Sequence, residues 1–451
     1  MEVQGDIVGD VLGDVPHAVE IVHVLHTGHA PSLRKPRPAP VVGPVCQSGT
    51  MPRFEAFRGL RYQPEMAPLA QVIAPPYDVI SATERVHLAS RHHANAVLVE
   101  LPEADLSGGR DRYAVATDLF YRWLNEGNLA ADPEPCLYPY RMTDTAGRVT
   151  TGVIGLLGLA DPGAESDILP HEQTLPKPKS DRLDLLRATR ANLSPIWGLS
   201  MADGVTATFD PTDDDPVGDA YDDDGVRHQL WVLSDADAIA AVTAAISRAP
   251  VVLADGHHRY STAQTYQAEA RAANGNAPGP HDLVLALVVE LSEDQLTVGA
   301  IHRTISGLPS DFDLVGALGQ WFDLVRAGAA DERTLTALAD SNSLAFVTGG
   351  QAFLLLPHAD VVEQEGNDLD SNLVATVLAG LPPHEVMHRH SVTEALEALA
   401  NGDGQAAFLL RPVTVKQIEN WANDRRRMPP KTTYFSPKPR TGVVFRSLDI
   451  S

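Results

Sequence analysis

Residues Val251 to Ala263 read VVLADGHHRYSTA, and this stretch decides the fold. An apolar, β-branched run ends in Asp255 and Gly256. Two histidines and an arginine follow, and a helix-forming segment runs from Ser261 to Ala273. Strand, glycine turn and helix in that order mark an α/β protein. The same order presents free backbone N–H groups and the positive end of a helix dipole to an anion. Arg259 adds a planar fork suited to phosphate oxygens. Asp255, Gly256, His257, His258 and Arg259 are therefore expected to form a phosphate-binding turn. The plainer alternative, a tight Asp-Gly turn with surface histidines, explains the glycine but not the crowding of functional side chains.

The rest of the chain sets limits on the ligand. The protein has 451 residues, 44% of them hydrophobic, and a formal net charge of −24. That length allows one large domain or two, with a sizeable core. The charge repels nucleic acid and anionic membranes, so neither is expected as a partner. Two cysteines, Cys46 and Cys136, make no disulfide framework and no metal cluster. There is no apolar run long enough for a transmembrane helix, and the opening MEVQGDIVGD lacks the positive start of a signal peptide. A soluble, cytoplasmic protein is expected.

Residues 1–50 differ in character from the remainder of the chain and end in the proline-rich PSLRKPRPAPVVGP, which cannot form a regular element. They are read as an upstream extension or disordered arm, with Met51 as the initiator. Residues 51–449 form the functional region, with subdomains expected at 51–305, carrying the histidine turn, and at 306–449. Within it, ERVHLASRHH reads as a helix and AVLVEL as a strand. Asp111 to Glu126 reads as a helix with a buried stripe of Tyr113, Ala116, Leu119, Phe120 and Trp123, closed by Gly127. Residues 136–141, 149–159, HQLWVLS and HDLVLALVVEL read as strands, and Asp235 caps a helix that leads into the histidine turn. The region from Asp203 to Asp224 reads as an acidic loop or hairpin; its aspartates lack EF-hand spacing and are read as solvated. Further on, DLVGALGQWFDLV, VTEALEALA and VKQIENWAN read as helices between strands SLAFVTG, AFLLL and AAFLLR. The fold class is α/β of the mixed α+β kind.

Two basic islands interrupt the acidic background. Pro176 to Arg190 holds five basic residues, among them Lys179 and Arg182, against two acids; Arg425 to Arg440 holds six, among them Lys431, and no acid. Positive charge gathered in turn-rich segments suits a small anion, although pairing with the acidic surface accounts for either island alone. His171 and Glu172 in LPHEQTLPKPK lack the HExxH spacing of a zinc site. They are read as an acid and base pair, or as a water-mediated holder of a Mg²⁺-bound phosphate. Asp78, after the stiff Pro-Pro-Tyr of APPYDVIS, suits a general base or metal ligand, or caps the next helix together with Ser81. In MPPKTTYFSPK, prolines fix a backbone on which Lys431, Thr432, Thr433 and Tyr434 offer donors.

In order, RFEAFRGLRY, APPYDVIS, HEQTLPKPKSDRLDLLRATRANLSPIWGLS, ADGHHRYSTA and MPPKTTYFSPK resemble the bacterial and archaeal family called domain of unknown function 1015, over residues 51 to about 449. Ser436 stands where an aromatic is commoner. Locally, DGHHR followed by a helix is similar to the phosphate-contacting motif of the ParB-like superfamily, which includes CTP-binding partition proteins, sulfiredoxin and free-serine kinases. This second resemblance implies a ParB-like phosphate-binding core within a larger mixed-sheet protein. It also implies that Asp255, His257, His258 and Arg259 hold nucleotide phosphates, while Asp78 or Glu172 activates an acceptor hydroxyl; Lys179, Arg182 and Lys431 of the basic islands are expected as further contacts. The expected activity is a nucleotide-dependent phosphotransferase using Mg²⁺ with ATP, ADP or another nucleotide on a small metabolite such as serine. A phosphoester hydrolase using a histidine at 257 or 258 and a nucleotide-binding regulatory protein are the alternatives.

Overall fold

The computed structural model describes residues 51–105, 107–161, 164–172, 180–210, 215–340, 343–363 and 368–450. Residues 1–50 and Lys179 lie outside them. The described chain forms two compact units, one from residues 51–299 and 413–450 and the other from residues 300–412.

A nine-stranded mixed sheet organises the larger unit. In chain order its strands are β1 (Phe54–Glu55), β2 (Tyr138–Thr143), β3 (Val149–Gly158), β4 (Ile168–Pro170), β5 (Ile196–Ser200), β6 (Gly218–Tyr221), β7 (Arg227–Leu230), β8 (Val251–Asp255) and β9 (Leu283–Glu290). In space they run β4-β8-β5-β9-β3-β2-β7-β6, with β1 also on β3. β8 is parallel to β4 and β9 to β5, and the remaining pairs are antiparallel. The unbroken apolar runs of β8 and β9 follow from burial of both faces. Val251, Val252 and Leu253 are fully buried, as are Leu285 to Val289. Each such side chain contributes roughly 1.5–3 kcal/mol through burial.

Helices of this unit include α1 (Ala82–Arg91), α2 (Val97–Glu100), α3 (Arg112–Asn125), α4 (Ser180–Thr189), α5 (Ala236–Ile246), α6 (His257–Ala273) and α7 (Val415–Asn423); α5 and α6 pack on the sheet, while α1 to α4 share a second core with Leu60, Tyr62 and Phe445. The Asp111 carboxylate caps α3 by accepting from the N–H groups of Tyr113 and Ala114, and Ala116, Phe120 and Trp123 are its buried face. Gly127 follows at φ +77°. Asp235 caps α5 in the same way.

Three readings need correction. AVLVEL is not a strand: Val97 to Glu100 form one helical turn. Asn95 Oδ1 accepts from the Val97 N–H at 3.0 Å, and Val97, Val99 and Glu100 are all buried. A local cap and burial on several sides override β-branched propensity here. DLVGALGQWFDLV is helical only over Leu314–Leu318 and continues as a strand over Phe322–Ala329, because Gly316 and Gly319 weaken the helix. The acidic stretch is not wholly a solvated loop. Residues 211–214 lie outside the described residues, but β6 and β7 form the hairpin that the sequence allowed, and the Asp222 side chain is only 7% exposed rather than solvated. Asp222 accepts from His228 Nε2 at 2.7 Å and from Arg440. Tyr140 in turn contacts His228 Nδ1 at 2.7 Å.

The smaller unit is a six-stranded antiparallel sheet. Its strand order is 322–329, 351–357, 345–348, 406–409, 302–306 and 385–389. Phe346 and Phe408 point to one core with Leu355 and Val374, while Ala345, Val347 and Ala407 point to another with Ala395. Neighbours along each strand therefore serve opposite faces.

Candidate active site

The site is built around the end of β8. Its pairing with β5 shifts register between Leu253 and Asp255, and such a bulge re-aims the side chains that come after it. Gly256 then takes a left-handed conformation (φ +84°), and α6 begins at His257, four residues before the helix-forming segment that starts at Ser261, with no side chain capping it. The first-turn N–H groups of α6 have no partner within the helix, so the dipole's positive end is directed at this turn.

Asp255 and Arg259 form an ion pair at 2.8 Å, and Lys438 binds the other carboxylate oxygen of Asp255. Burial disfavours the charge on Asp255, but Lys438 and Arg259 outweigh it and hold the carboxyl below its ordinary value. The second terminal nitrogen of Arg259 donates to the Pro195 carbonyl. Both ends of the fork are therefore engaged with protein groups. His257 lies against His171, with ring centroids 5.1 Å apart. Its Nε2 is sealed from solvent and has no hydrogen-bond partner among the described residues. Burial, reinforced by His171, pushes the His257 imidazole down to about 3, so it is neutral at physiological pH. His258 is the next, half-buried residue of α6.

His171 follows β4, the parallel neighbour of β8. Its Nδ1 bonds to the Leu253 carbonyl and its Nε2 lies 2.6 Å from Thr433 Oγ1. A carbonyl only accepts, so Nδ1 carries the proton and Nε2 accepts from the threonine hydroxyl. Burial lowers the pKa of His171 as well. Glu172 accepts from the backbone N–H groups of Lys431 (2.7 Å) and Thr432 (3.1 Å), and Lys431 has φ +59°. The carboxylate thus holds the turn of MPPKTTYFSPK in place, while the Lys431 side chain is exposed. Phe435 packs on both His171 and Trp197, with centroids 5.8 and 5.7 Å away.

The other predicted residues sit further out. Asp78 is exposed. Its neighbour Tyr77 lies under the Arg182 guanidinium at 4.4 Å. Arg182 is paired with Asp181 at 2.6 Å, and Arg187 and Arg190 of the same island pair with Glu269 and Asp449. The described arginines of this island are thus matched by acids. Among the described residues no group of three potential ligands is placed to hold a metal ion, and no helix is long and apolar enough to cross a membrane.

Sequence reasoning did not single out Lys438, Trp197, Arg427 or Glu100. Lys438 stands in the MPPKTTYFSPK motif, whose lack of acids was the available signal. Arg427 belongs to the same basic island and is close enough for its charge to act on His257 and Tyr260: burial raises the Tyr260 pKa, and Arg427 offsets part of that rise. Nothing in the sequence distinguishes Glu100, which closes an apolar run.

No curated protein matches the chain. Among solved structures, it is similar to a free serine kinase in complex with AMP (13% identity, 60% of this chain and 83% of that one, TM-score 0.32). It is also similar to C-terminally truncated SbnI from Staphylococcus aureus (13%, 61% and 81%, TM-score 0.34). A third similar structure is a conserved hypothetical protein from Pyrococcus furiosus (12%, 63% and 94%, TM-score 0.33). With its family model matched over residues 54–382, the chain belongs to the family described as protein of unknown function (DUF1015).

Proposed function

We propose that the protein is a nucleotide-dependent phosphotransferase acting on a small metabolite, with the nucleotide's phosphates seated at the β8–α6 turn. The observation that carries this reading is the N-terminus of α6, which starts behind a left-handed glycine that has no side chain to cap it, beside a neutral imidazole whose buried Nε2 has no hydrogen-bond partner among the described residues. Backbone N–H groups supply the anion contacts, and His257, His258 and Arg427 surround them. Asp255, Arg259 and Lys438 act as the frame that fixes the turn. Lys179, Arg182 and Lys431 are proposed as further contacts.

Of the carboxylates proposed as base, Glu172 is committed to two amides, so Asp78 takes the role of activating the acceptor hydroxyl. Mg²⁺ would be held by the nucleotide's own phosphates with at most one carboxylate from the chain, as hard divalent ions at phosphate sites commonly are. The commitment of both Asp255 and Glu172 to internal contacts favours one second reading, a nucleotide-binding regulatory protein.

Purified protein with Mg²⁺ and each of ATP, ADP and CTP, with and without serine and other small hydroxyl metabolites, decides between them. Acceptor-dependent phosphate transfer is the expected outcome. Saturable nucleotide binding without transfer selects the regulatory reading, and release of phosphate from a phosphometabolite alone selects a hydrolase. Absence of nucleotide binding overturns the site.

A further inference from the structure

A cavity of about 60 Å³ lies between α4, α6 and the end of α2. That space holds roughly four waters, the bulk of a molecule of about four to six non-hydrogen atoms. Its polar lining is Glu100, Arg182, Asn192, Ser194, Arg259 and Thr262, and Asn192 Oδ1 is taken by the Leu285 N–H and Arg446.

These groups are unequally satisfied. Arg182 directs Nε and Nη2 to Asp181 and Nη1 to the Glu100 carbonyl. Arg259 spends its terminal nitrogens on Asp255 and Pro195. Each guanidinium is thus already neutralised by a carboxylate, Arg182 by Asp181 and Arg259 by Asp255. Glu100 is 2% exposed, and its side-chain contacts fall on one oxygen: Oε1 accepts from Ser194 Oγ at 3.2 Å and lies 3.6 Å from Arg182. Oε2 has no hydrogen bond among the described residues, and Glu100 lines the cavity. A buried carboxylate with one free oxygen requires a donor, preferably a charged one.

We propose that this cavity binds a small primary amine, with its ammonium group on Glu100. An ammonium has three N–H donors and no acceptor. Glu100 Oε2 and the Ser194 and Thr262 hydroxyl oxygens offer three acceptors along one cavity, with Leu185 and Val284 as apolar walls for the carbon atoms. The proposal does not depend on phosphate transfer, and its test contains no nucleotide.

Calorimetric titration of the full chain with ethanolamine and, separately, with its uncharged isostere ethylene glycol is the experiment. Ethanolamine is expected to bind saturably and at least about tenfold more tightly than ethylene glycol, the difference that a hydrogen bond to a charged group supplies. Glu100→Gln, shown by its melting curve to be folded, is expected to lose about tenfold in ethanolamine affinity. Should that variant not fold, Thr262→Val removes one acceptor at nearly constant shape and is expected to weaken binding about fivefold. Equal binding of the two isosteres, no saturable binding of ethanolamine, or an unchanged affinity in folded Glu100→Gln overturns the proposal.

Discussion

Asp255 and Arg259, one helical turn apart, are joined at 2.8 Å across the turn that begins α6, and Lys438 reaches the same carboxylate from 183 residues further along the chain. The motif's charged residues therefore hold one another before any ligand arrives. This changes what Arg259→Ala should do. Removing one partner of a largely buried pair costs about 3 kcal/mol or more, and it also leaves the Pro195 carbonyl unsatisfied. Urea unfolding of Arg259→Ala, Asp255→Asn and the double variant measures the coupling. If Arg259 served only a ligand, the single variant would stay within about 0.5 kcal/mol of the parent and lose affinity alone.

Gly256 is required by both backbone and neighbour. Its φ is +84°, and an added Cβ would lie 3.2 Å from the Arg259 guanidinium. Gly256→Ala is expected to destabilise the protein by about 1–2 kcal/mol, from left-handed strain plus displacement of Arg259. The chemical denaturation midpoint should fall with an unchanged slope. A midpoint equal to the parent's would show that the turn does not hold this conformation in solution.

How much of this was legible depends on the range of the interactions. The β8–α6 unit is written in thirteen consecutive residues: a β-branched run, Asp-Gly and a helix former. The α3 stripe is written in one helical period. By contrast, VLVE carries strand propensity and becomes a helical turn because Asn95 caps it. Glu100 meets its partner Ser194 across 94 positions. Asp222 looks like one more acid in an acidic loop until Arg440, 218 residues on, closes over it. Propensity reports on neighbours in sequence, whereas the roles of these carboxylates are set by neighbours in space.

His257 makes stability depend on pH with a definite sign. Its folded pKa is depressed to about 3 from 6.5, so between those values the unfolded chain binds the extra proton. The stability linked to this residue is fully present above pH 6.5 and is lost as pH falls towards 3, at up to about 1.4 kcal/mol per pH unit. Asp222 and Asp255, also depressed, contribute losses of the same sign only as pH falls through the carboxylate range, below about 4, outside the window in which parent and His257→Gln are compared. Unfolding free energies of the two between pH 7.5 and pH 4 should diverge, with the variant losing less. Parallel curves would mean that the imidazole is solvated.

Glu172 separates a chemical role from a structural one. Its carboxylate accepts from the Lys431 and Thr432 amides, while the adjacent His171 accepts from the Thr433 hydroxyl. The two residues after β4 thus fasten the segment that carries Lys438 to the turn it neutralises. Glu172→Ala should release both amides, and their hydrogen exchange should accelerate at least about tenfold, the equivalent of about 1.4 kcal/mol of lost protection. Amides in β8 and β9, paired within the sheet, should keep the parent's rates. Glu172→Gln can still accept through its amide oxygen and should restore part of the protection. A general base would behave differently, since Glu172→Gln would then fail as completely as Glu172→Ala in phosphate transfer while leaving exchange at Lys431 and Thr432 near the parent's. Rescue of exchange and transfer together by Gln assigns Glu172 to the frame and leaves the base at Asp78.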